Sequence, residues 1–187
     1  MAITNKQSMT NVHEIANGIY WINTPVQIEG GPGAFSFNQY LIVDDEPLIF
    51  HTGPRKMFPL VHEAVASVLP VEELRYIAFS HVEADECGSL NEWLAVAPRS
   101  VPLCGTVAAL VSITDLADRP PRALADGETI SLGNLFAAMV RHTASASCMG
   151  VRIPDGRKNE DAAMRRSLYP ARRRRFGHHR VGHPRPE

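Results

Sequence analysis

The sequence lacks a long apolar run, and this absence argues against a transmembrane helix. No stretch approaches the ~20 consecutive apolar residues that a transmembrane helix needs. Residues 1–10 are polar and contain no hydrophobic signal core, so we expect a cytoplasmic protein with no membrane partner. A length of 187 residues predicts one domain, large enough to bury an apolar core.

Cysteine is scarce as well, with three in the whole chain. Cys87, Cys104 and Cys148 show no paired spacing, which argues against a disulfide framework, and we expect reduced thiols. Cys87 lies beside the acidic loop described below. We interpret it as a small packed residue rather than a ligand.

Basic residues are scarce in the first part of the chain and acidic residues in the second. Residues 1–133 hold 7 basic and 16 acidic side chains, whereas residues 134–187 hold 12 and 4, and the overall charge is −1. So sharp a reversal of net charge indicates that the two parts do not belong to one continuous protein surface. We therefore predict a folded part, 1–133, and a basic, atypical C-terminal segment, 134–187.

The residues with the most chemistry lie in one short stretch, 79–88, which reads FSHVEADECG. It follows an apolar run, 74–79, that we interpret as a buried strand. Because side chains alternate along an extended chain, His81, Glu83 and Asp85 can converge on one point at the sheet edge. An imidazole with two carboxylates suits iron or manganese and, less specifically, zinc. The plain alternative is a solvated acidic loop after a strand.

Strands and helices alternate around this stretch, which predicts an α/β fold. Alternation around Gly18 predicts a first edge hairpin at 12–23. Apolar periodicity and turn residues predict strands at 37–43, 47–51, 101–104 and 129–133, and helices at 58–69 and 89–96. Residues 106–116 are apolar enough for a buried helix or a helix followed by a strand. The Gly-rich segment 25–33 is either a loop that overhangs the acidic stretch or a hairpin connection.

This pattern resembles the metallo-β-lactamase fold, whose first ligand loop reads His-x-His-x-Asp-His after a strand. Glu83 replaces the second histidine here, and His-x-Glu-x-Asp is the variant found in flavodiiron proteins and related oxygen-binding diiron domains. The resemblance also runs through residues 38–43, 49–53 and 127–133, and so covers 12–133. It implies an αββα sandwich, incomplete in its C-terminal half in this chain.

The resemblance also implies a metal site. His81 and Glu83 would serve one iron and Asp85 the other, while Glu86 stands where many members have histidine. The expected metal ligands are therefore His81, Glu83, Asp85 and Glu86, with no catalytic residue assigned. His51, where many members have aspartate, is either structural or supports a ligand.

Two iron ions are expected in an intact family member, with zinc as the alternative metal. The implied small-molecule ligand is dioxygen or nitric oxide. No flavodoxin-like phosphate loop follows in the sequence, so reduction requires a separate electron-donor protein, or the domain acts as a sensor. A homodimer is compatible with the resemblance.

The segment 134–187 departs from the family. The family's next strands carry a ligand histidine, a bridging aspartate and a last histidine, and this segment supplies none of them in place. Its composition predicts a solvated tail. A Met codon followed by a Val or Gly codon reads ATG-G, which gives a tryptophan codon when it is read one nucleotide later. This applies at Met139-Val140 and Met149-Gly150. The same shifted reading frame permits the missing histidine and aspartate motifs. We hypothesise a frameshift near residues 133–138, which the nucleotide sequence would test.

Two alternatives concern the tail itself. The arginines at 172–175 with Phe176 have the composition of a nucleic-acid patch, and His178, His179 and His183 could bind a metal. Under the frameshift hypothesis both features are accidental, as is any ligand role of His142. We therefore do not expect a nucleic-acid partner.

Three functions follow from the sequence. The first is a diiron domain related to oxygen or nitric oxide reductases. The second is a zinc hydrolase, with a metal-bound water as nucleophile oriented by Asp85. The third is a non-catalytic, truncated protein. Because loop ligands without their distant partners leave most of a coordination sphere to water, we expect impaired activity in this chain.

Overall fold

A computed structural model describes residues 1–27, 34–141 and 147–152. Their strands form one sheet of eight strands and one of three. The large sheet contains, in spatial order, β1 (Ala2–Asn5), β2 (Thr10–Ala16), β3 (Ile19–Gln27), β4 (Ala34–Ile42), β5 (Leu48–Phe50), β6 (Tyr76–Ala78), β7 (Val101–Gly105) and β8 (Arg122–Leu124). The small sheet contains β9 (Thr129–Ser131), β10 (Phe136–Arg141) and β11 (Ser147–Arg152), with β10 in the middle.

The helices are short. They are α1 (Phe58–Ala66), α2 (Ala84–Cys87), α3 (Leu90–Val96), α4 (Thr106–Ala108) and α5 (Thr114–Leu116), with a π-helical stretch at Ala109–Ile113 and 3₁₀ turns at Arg55–Met57 and Val71–Glu73. No helix in the described part of the chain is both long and apolar enough to cross a bilayer.

The large sheet changes character at β5. Strands β1 to β5 pair antiparallel, and Gly18 makes the turn from β2 to β3 with a φ of 71°. Strands β5 to β8 pair parallel. Parallel strands bring their carboxyl ends to the same edge of a sheet. The residues that follow β5 and β6 therefore meet there, and the His51 N–H donates to the Ala78 carbonyl at 2.7 Å.

The large sheet is buried on both faces. On one face, Ile49 and Ile77 pack with Val61 of α1 and Trp93 of α3. On the other face, a second apolar cluster joins the large sheet to the small one; it contains Ile42, Leu48, Leu103, Ile130, Leu132 and Ala137. The described residues thus form a helix layer and two stacked sheets, which is the α/β sandwich predicted from the sequence.

The predicted hairpin, the strands of the parallel region and helices α1 and α3 are confirmed at these positions. One expectation about burial is wrong. Residues 106–116 are helical, but Val107, Leu110 and Val111 are 74%, 82% and 73% exposed. Only Ala109 and Ile113, four residues apart on one side of the helix, are buried against the core.

The predicted boundary at residue 133 stays a prediction. Strand β10 lies beyond it, pairs with β9, and buries Ala137, Ala138 and Met139. Several sequence predictions fall outside the described residues. They concern the loop at 28–33, His142, and the tail from residue 153 onward, with its arginines at 172–175 and its histidines.

Candidate metal centre

The acidic loop does not stay extended. Strand β6 ends at Ala78, the chain bends through residues 80–83, and the helical turn α2 begins at Ala84. Glu83 caps this turn in an extended conformation, and the Cys87 N–H donates to its carbonyl at 2.9 Å. Asp85 and Glu86 lie in the first turn, where the helix dipole favours carboxylates. The alternation expected through Asp85 is therefore interrupted.

This curl separates the predicted ligands. Glu83 and Asp85 are exposed, whereas His81 and Glu86 are partly buried. His81 Nδ1 lies 3.2 Å from Glu86 Oε1. The structure thus brings together two of the four predicted residues, His81 and Glu86.

The Glu86 carboxylate is held by several partners. Ser80 Oγ donates to Oε2 at 2.6 Å, and the backbone N–H of His81 donates to the same oxygen at 2.5 Å. His51 Nε2 lies 3.5 Å from Oε2. Ser80 Oγ also lies 3.1 Å from His81 Nδ1. Glu86 is therefore part of a hydrogen-bond network rather than an open carboxylate.

His51 completes this network from the neighbouring strand. It follows β5 with a φ of 62°, a left-handed conformation that is uncommon for a residue other than glycine. Its ring stacks on Phe50 at a centroid distance of 4.3 Å, and Nε2 lies 3.0 Å from Ser80 Oγ. Next to it, the Thr52 N–H donates to the Glu86 carbonyl at 2.7 Å. Main chain and side chains thus tie the two loops together.

Burial and hydrogen bonding determine the charges in this network. Burial lowers the pKa of His51, and the nearby carboxylates of Glu86 and Asp85 offset this only in part. Burial raises the pKa of Glu86, but His51 and the hydrogen bonds from Ser80 and His81 outweigh it, so this pKa lies below its usual value. At neutral pH the network contains a carboxylate and a neutral His51.

Cys87 lies next to Glu86 but contributes no ligand. Its side chain is partly buried and packs against the core between the sheet and the helices. Burial and the adjacent Glu86 raise the pKa of the thiol to about 11. A protonated, packed thiol agrees with the interpretation made from the sequence.

The described residues do not fit a two-metal centre. Within residues 1–27, 34–141 and 147–152, no group of three or more His, Cys, Asp or Glu side chains could hold a metal ion. Glu83 and Asp85 are exposed to solvent. The assignment of all four residues as ligands stays a prediction.

Sequence reasoning missed Ser80. A serine at a strand end gives no motif of its own, and its role depends on the neighbouring strand β5. The available signal was positional, because Ser80 follows a parallel strand and so lies at the sheet edge where polar groups from adjacent strands meet.

Comparison with known proteins identifies the lineage. A family model described as "ODP family beta lactamase" matches residues 35–145. The chain belongs to this family. The matched region of this ODP-family domain contains β5, β6, the curled loop and the whole Glu86 network.

The ODP-family domain is also similar to individual proteins. It is 28% identical over 102 residues to the anaerobic nitric oxide reductase flavorubredoxin of Citrobacter koseri. The aligned region covers 53% of this chain and 21% of that protein. Two solved structures, rubredoxin oxygen:oxidoreductase from Desulfovibrio gigas and a flavo di-iron protein variant from Thermotoga maritima, superpose with TM-scores of 0.66 each.

The sequence identities of these two structures are 19% and 15%. The matches cover 78% and 77% of this chain and 39% of each solved chain, and they show the shared fold. The chain thus spans about a fifth of the curated relative and two fifths of the solved structures.

Proposed function

We propose that this chain is a diiron-type beta-lactamase domain without a working two-metal centre. It binds iron weakly and does not by itself reduce dioxygen or nitric oxide. The observation that carries this proposal is the position of Glu86, whose carboxylate accepts from Ser80 and from the His81 backbone while its neighbours in the motif, Glu83 and Asp85, are exposed.

The names of the relatives support the lineage part of this proposal. One is named a nitric oxide reductase and another an oxygen oxidoreductase. We propose that an intact member of the lineage binds dioxygen or nitric oxide at two irons and receives electrons from a separate protein. This chain shares the fold, and the described residues contain an incomplete set of donors.

Coordination chemistry supports the second part of the proposal, namely that this chain lacks a working two-metal centre. A diiron centre needs donors from several distant segments, fixed in place by hydrogen bonds of their own. Exposed Glu83 and Asp85 must be ordered from solvent before they can bind, and His81 is already engaged with Glu86. Ordering the ligands at the moment of binding reduces metal affinity.

Metal uptake tests the proposal directly. The full chain would be dialysed anaerobically against Fe(II) or Zn(II), and the bound metal measured by mass spectrometry beside the H81A/E83A variant. We expect wild type and variant to retain similar amounts, well below one ion per chain. Two irons per wild-type chain, with nitric oxide or dioxygen consumption, would contradict the proposal. Bound zinc with ester hydrolysis would favour a hydrolase instead.

A further inference from the structure

Four side chains at the carboxyl edge of the parallel strands form one connected cluster, which we call the Glu86 clasp: His51, Ser80, His81 and Glu86. Ser80 Oγ is at its centre, 2.6 Å from Glu86 Oε2, 3.0 Å from His51 Nε2 and 3.1 Å from His81 Nδ1. The carboxylate and imidazole groups around it are partly buried, with exposed side-chain fractions of 15% for both His51 and Glu86.

The clasp joins three pieces of chain. His51 follows β5, Ser80 and His81 follow β6, and Glu86 belongs to α2. The main chain reinforces the same junction, because the Thr52 N–H donates to the Glu86 carbonyl and Ser89 Oγ donates to the Thr52 carbonyl at 2.9 Å. A loop of this kind is commonly fixed by a bound ion, whose binding free energy contributes to folding.

We propose that the Glu86 clasp fixes this loop without a metal ion, and that Glu86 acts as a partly buried hydrogen-bond acceptor rather than as a metal ligand. The clasp thereby holds the loop in place, as a bound ion does in a metal-dependent site. The curled loop then persists in metal-free protein, with Glu83 and Asp85 left in solvent.

The backbone at His51 supports this role. A non-glycine residue in the left-handed region is strained, and such a conformation persists when the surrounding contacts over-determine it. Here the His51 N–H donates to Ala78, the ring stacks on Phe50, and Nε2 contacts Ser80. Three contacts therefore stabilise the strained backbone of His51, and one of them is a contact of the clasp.

Removal of the carboxylate takes the shared acceptor away from two partly buried donors. In an E86A variant, the Ser80 hydroxyl and the His81 backbone N–H lose the partner that they share. Leaving buried polar groups unpaired is more costly than losing an exposed contact. E83A removes an exposed carboxylate from the same loop and is the matched control.

Thermal unfolding of the full chain with a chelator, and with Fe(II) or Zn(II), tests the proposal. We expect the wild-type Tm to be the same in all three conditions. E86A should lower Tm by about 5 °C or more in each condition, whereas E83A should change it by about 1 °C or less. A metal-dependent rise in the wild-type Tm that E86A abolishes would overturn the proposal and make Glu86 a ligand.

Two milder variants keep the test decisive if E86A does not fold. S80A removes the central hydroxyl and should lower Tm by about 2–4 °C with or without chelator. H51N keeps a residue that tolerates a positive φ but removes the imidazole, and should lower Tm by a similar amount. Unchanged Tm values in both variants would overturn the clasp.

The inference goes beyond the proposed function, and the two can fail separately. Iron uptake by the wild-type chain, with the metal-independent effect of E86A on Tm intact, would overturn the proposed function alone. Absence of iron uptake, with no effect of E86A on Tm, would overturn the clasp alone.

Discussion

The carboxylate of Asp44 accepts a hydrogen bond of 2.7 Å from the backbone N–H of Leu135, a residue 91 positions further along the chain. Asp44 lies in the turn between β4 and β5, and Leu135 directly precedes β10. The same carboxylate accepts from the Asn134 side chain at 3.2 Å. This contact attaches the small sheet to the large one.

A D44N substitution should therefore lower the free energy of unfolding by about 1 kcal/mol, the usual contribution of a hydrogen bond. Burial raises the pKa of Asp44, but backbone hydrogen bonds from Asn134, Leu135 and Asp45 outweigh it and hold this pKa below its usual value. The contribution is thus complete above the unfolded-state pKa, about 4, and is lost as pH falls through the folded-state value.

Urea unfolding of wild type and D44N between pH 3 and pH 7 measures this difference. D45N, which alters the exposed neighbouring carboxylate, is the control. The stability gap between wild type and D44N should be largest near neutral pH and shrink in acid. A gap that grows as the pH falls would contradict the assignment.

Gly133 should not tolerate a side chain. Its φ is 127°, and a Cβ at this position would clash with Asp44 Oδ1 and would lie 2.9 Å from Asp45 Oδ2. The Asp44 carboxylate is held by Leu135 through Oδ2 and by Asn134 through Oδ1. Gly127 has a φ of 76° with open space around it. G127A therefore reports backbone strain alone, whereas G133A adds a steric clash.

We expect G127A to cost about 1 kcal/mol of unfolding free energy and G133A about 2–3 kcal/mol. The excess should shrink in a D44A background, because the closer clash disappears with the Asp44 side chain while the contact with Asp45 Oδ2 remains. Denaturant titration of the single and double variants measures the coupling. Equal costs for G133A in both backgrounds would show that the clash is not with Asp44.

Arg119 caps the C-terminal end of α3. Its guanidinium donates to the carbonyls of Leu94 at 3.1 Å and Ala97 at 3.2 Å, and also to Ser100. R119K provides one ammonium in place of this planar fork, so it should restore little of the stability that R119A loses. We expect both variants to lose about 1–2 kcal/mol.

Thermal or urea unfolding measures the loss, with R122A as a control because Arg122 is exposed on the short strand β8. R122A should stay within about 0.5 kcal/mol of wild type. Full recovery of stability by R119K would indicate that charge, rather than the fork geometry, is what α3 requires.

Cys87 and Cys104 should react slowly with thiol reagents in the folded protein. Burial raises the pKa of both thiols to about 11, assisted by Glu86 at Cys87 and by Cys87 at Cys104. At pH 8 only about one molecule in a thousand carries the thiolate at either position.

Reaction with a disulfide dye in a C148S variant, with and without denaturant, measures this protection. We expect labelling of the folded protein to be at least about 100-fold slower than that of the unfolded chain. Rapid labelling of Cys87 before unfolding would show that this thiol is reactive at the surface of the loop.

The sequence predicted most of the fold because its periodicities are local. Alternating residues identified the hairpin of β2 and β3, and helical spacing identified α1, although α1 ends at Ala66 rather than at residue 69. Burial of 106–116 was predicted wrongly, because apolar content does not reveal which helix face meets the core. Val107 and Leu110 are exposed, while Ala109 and Ile113 are buried.

The candidate site was placed at the correct loop, but its internal arrangement was not predicted. Alternation assumes an extended chain, and α2 breaks that assumption at Ala84. The acidic pair Asp85 and Glu86 was an available signal for a helical first turn. The Ser80–Glu86–His51 contacts depend on the pairing of β5 with β6, which no local pattern encodes.

Each strand of the large sheet pairs with the strand that precedes it in the chain, from β1 to β8. The growing polypeptide can therefore add strands one at a time, and all eight strands that the structure describes in this sheet are present once Leu124 has been synthesised. In such sequential assembly, no strand has to wait for a distant segment of the chain before it can pair. An altered reading frame downstream of Leu124 would leave every one of these pairings available to the nascent chain.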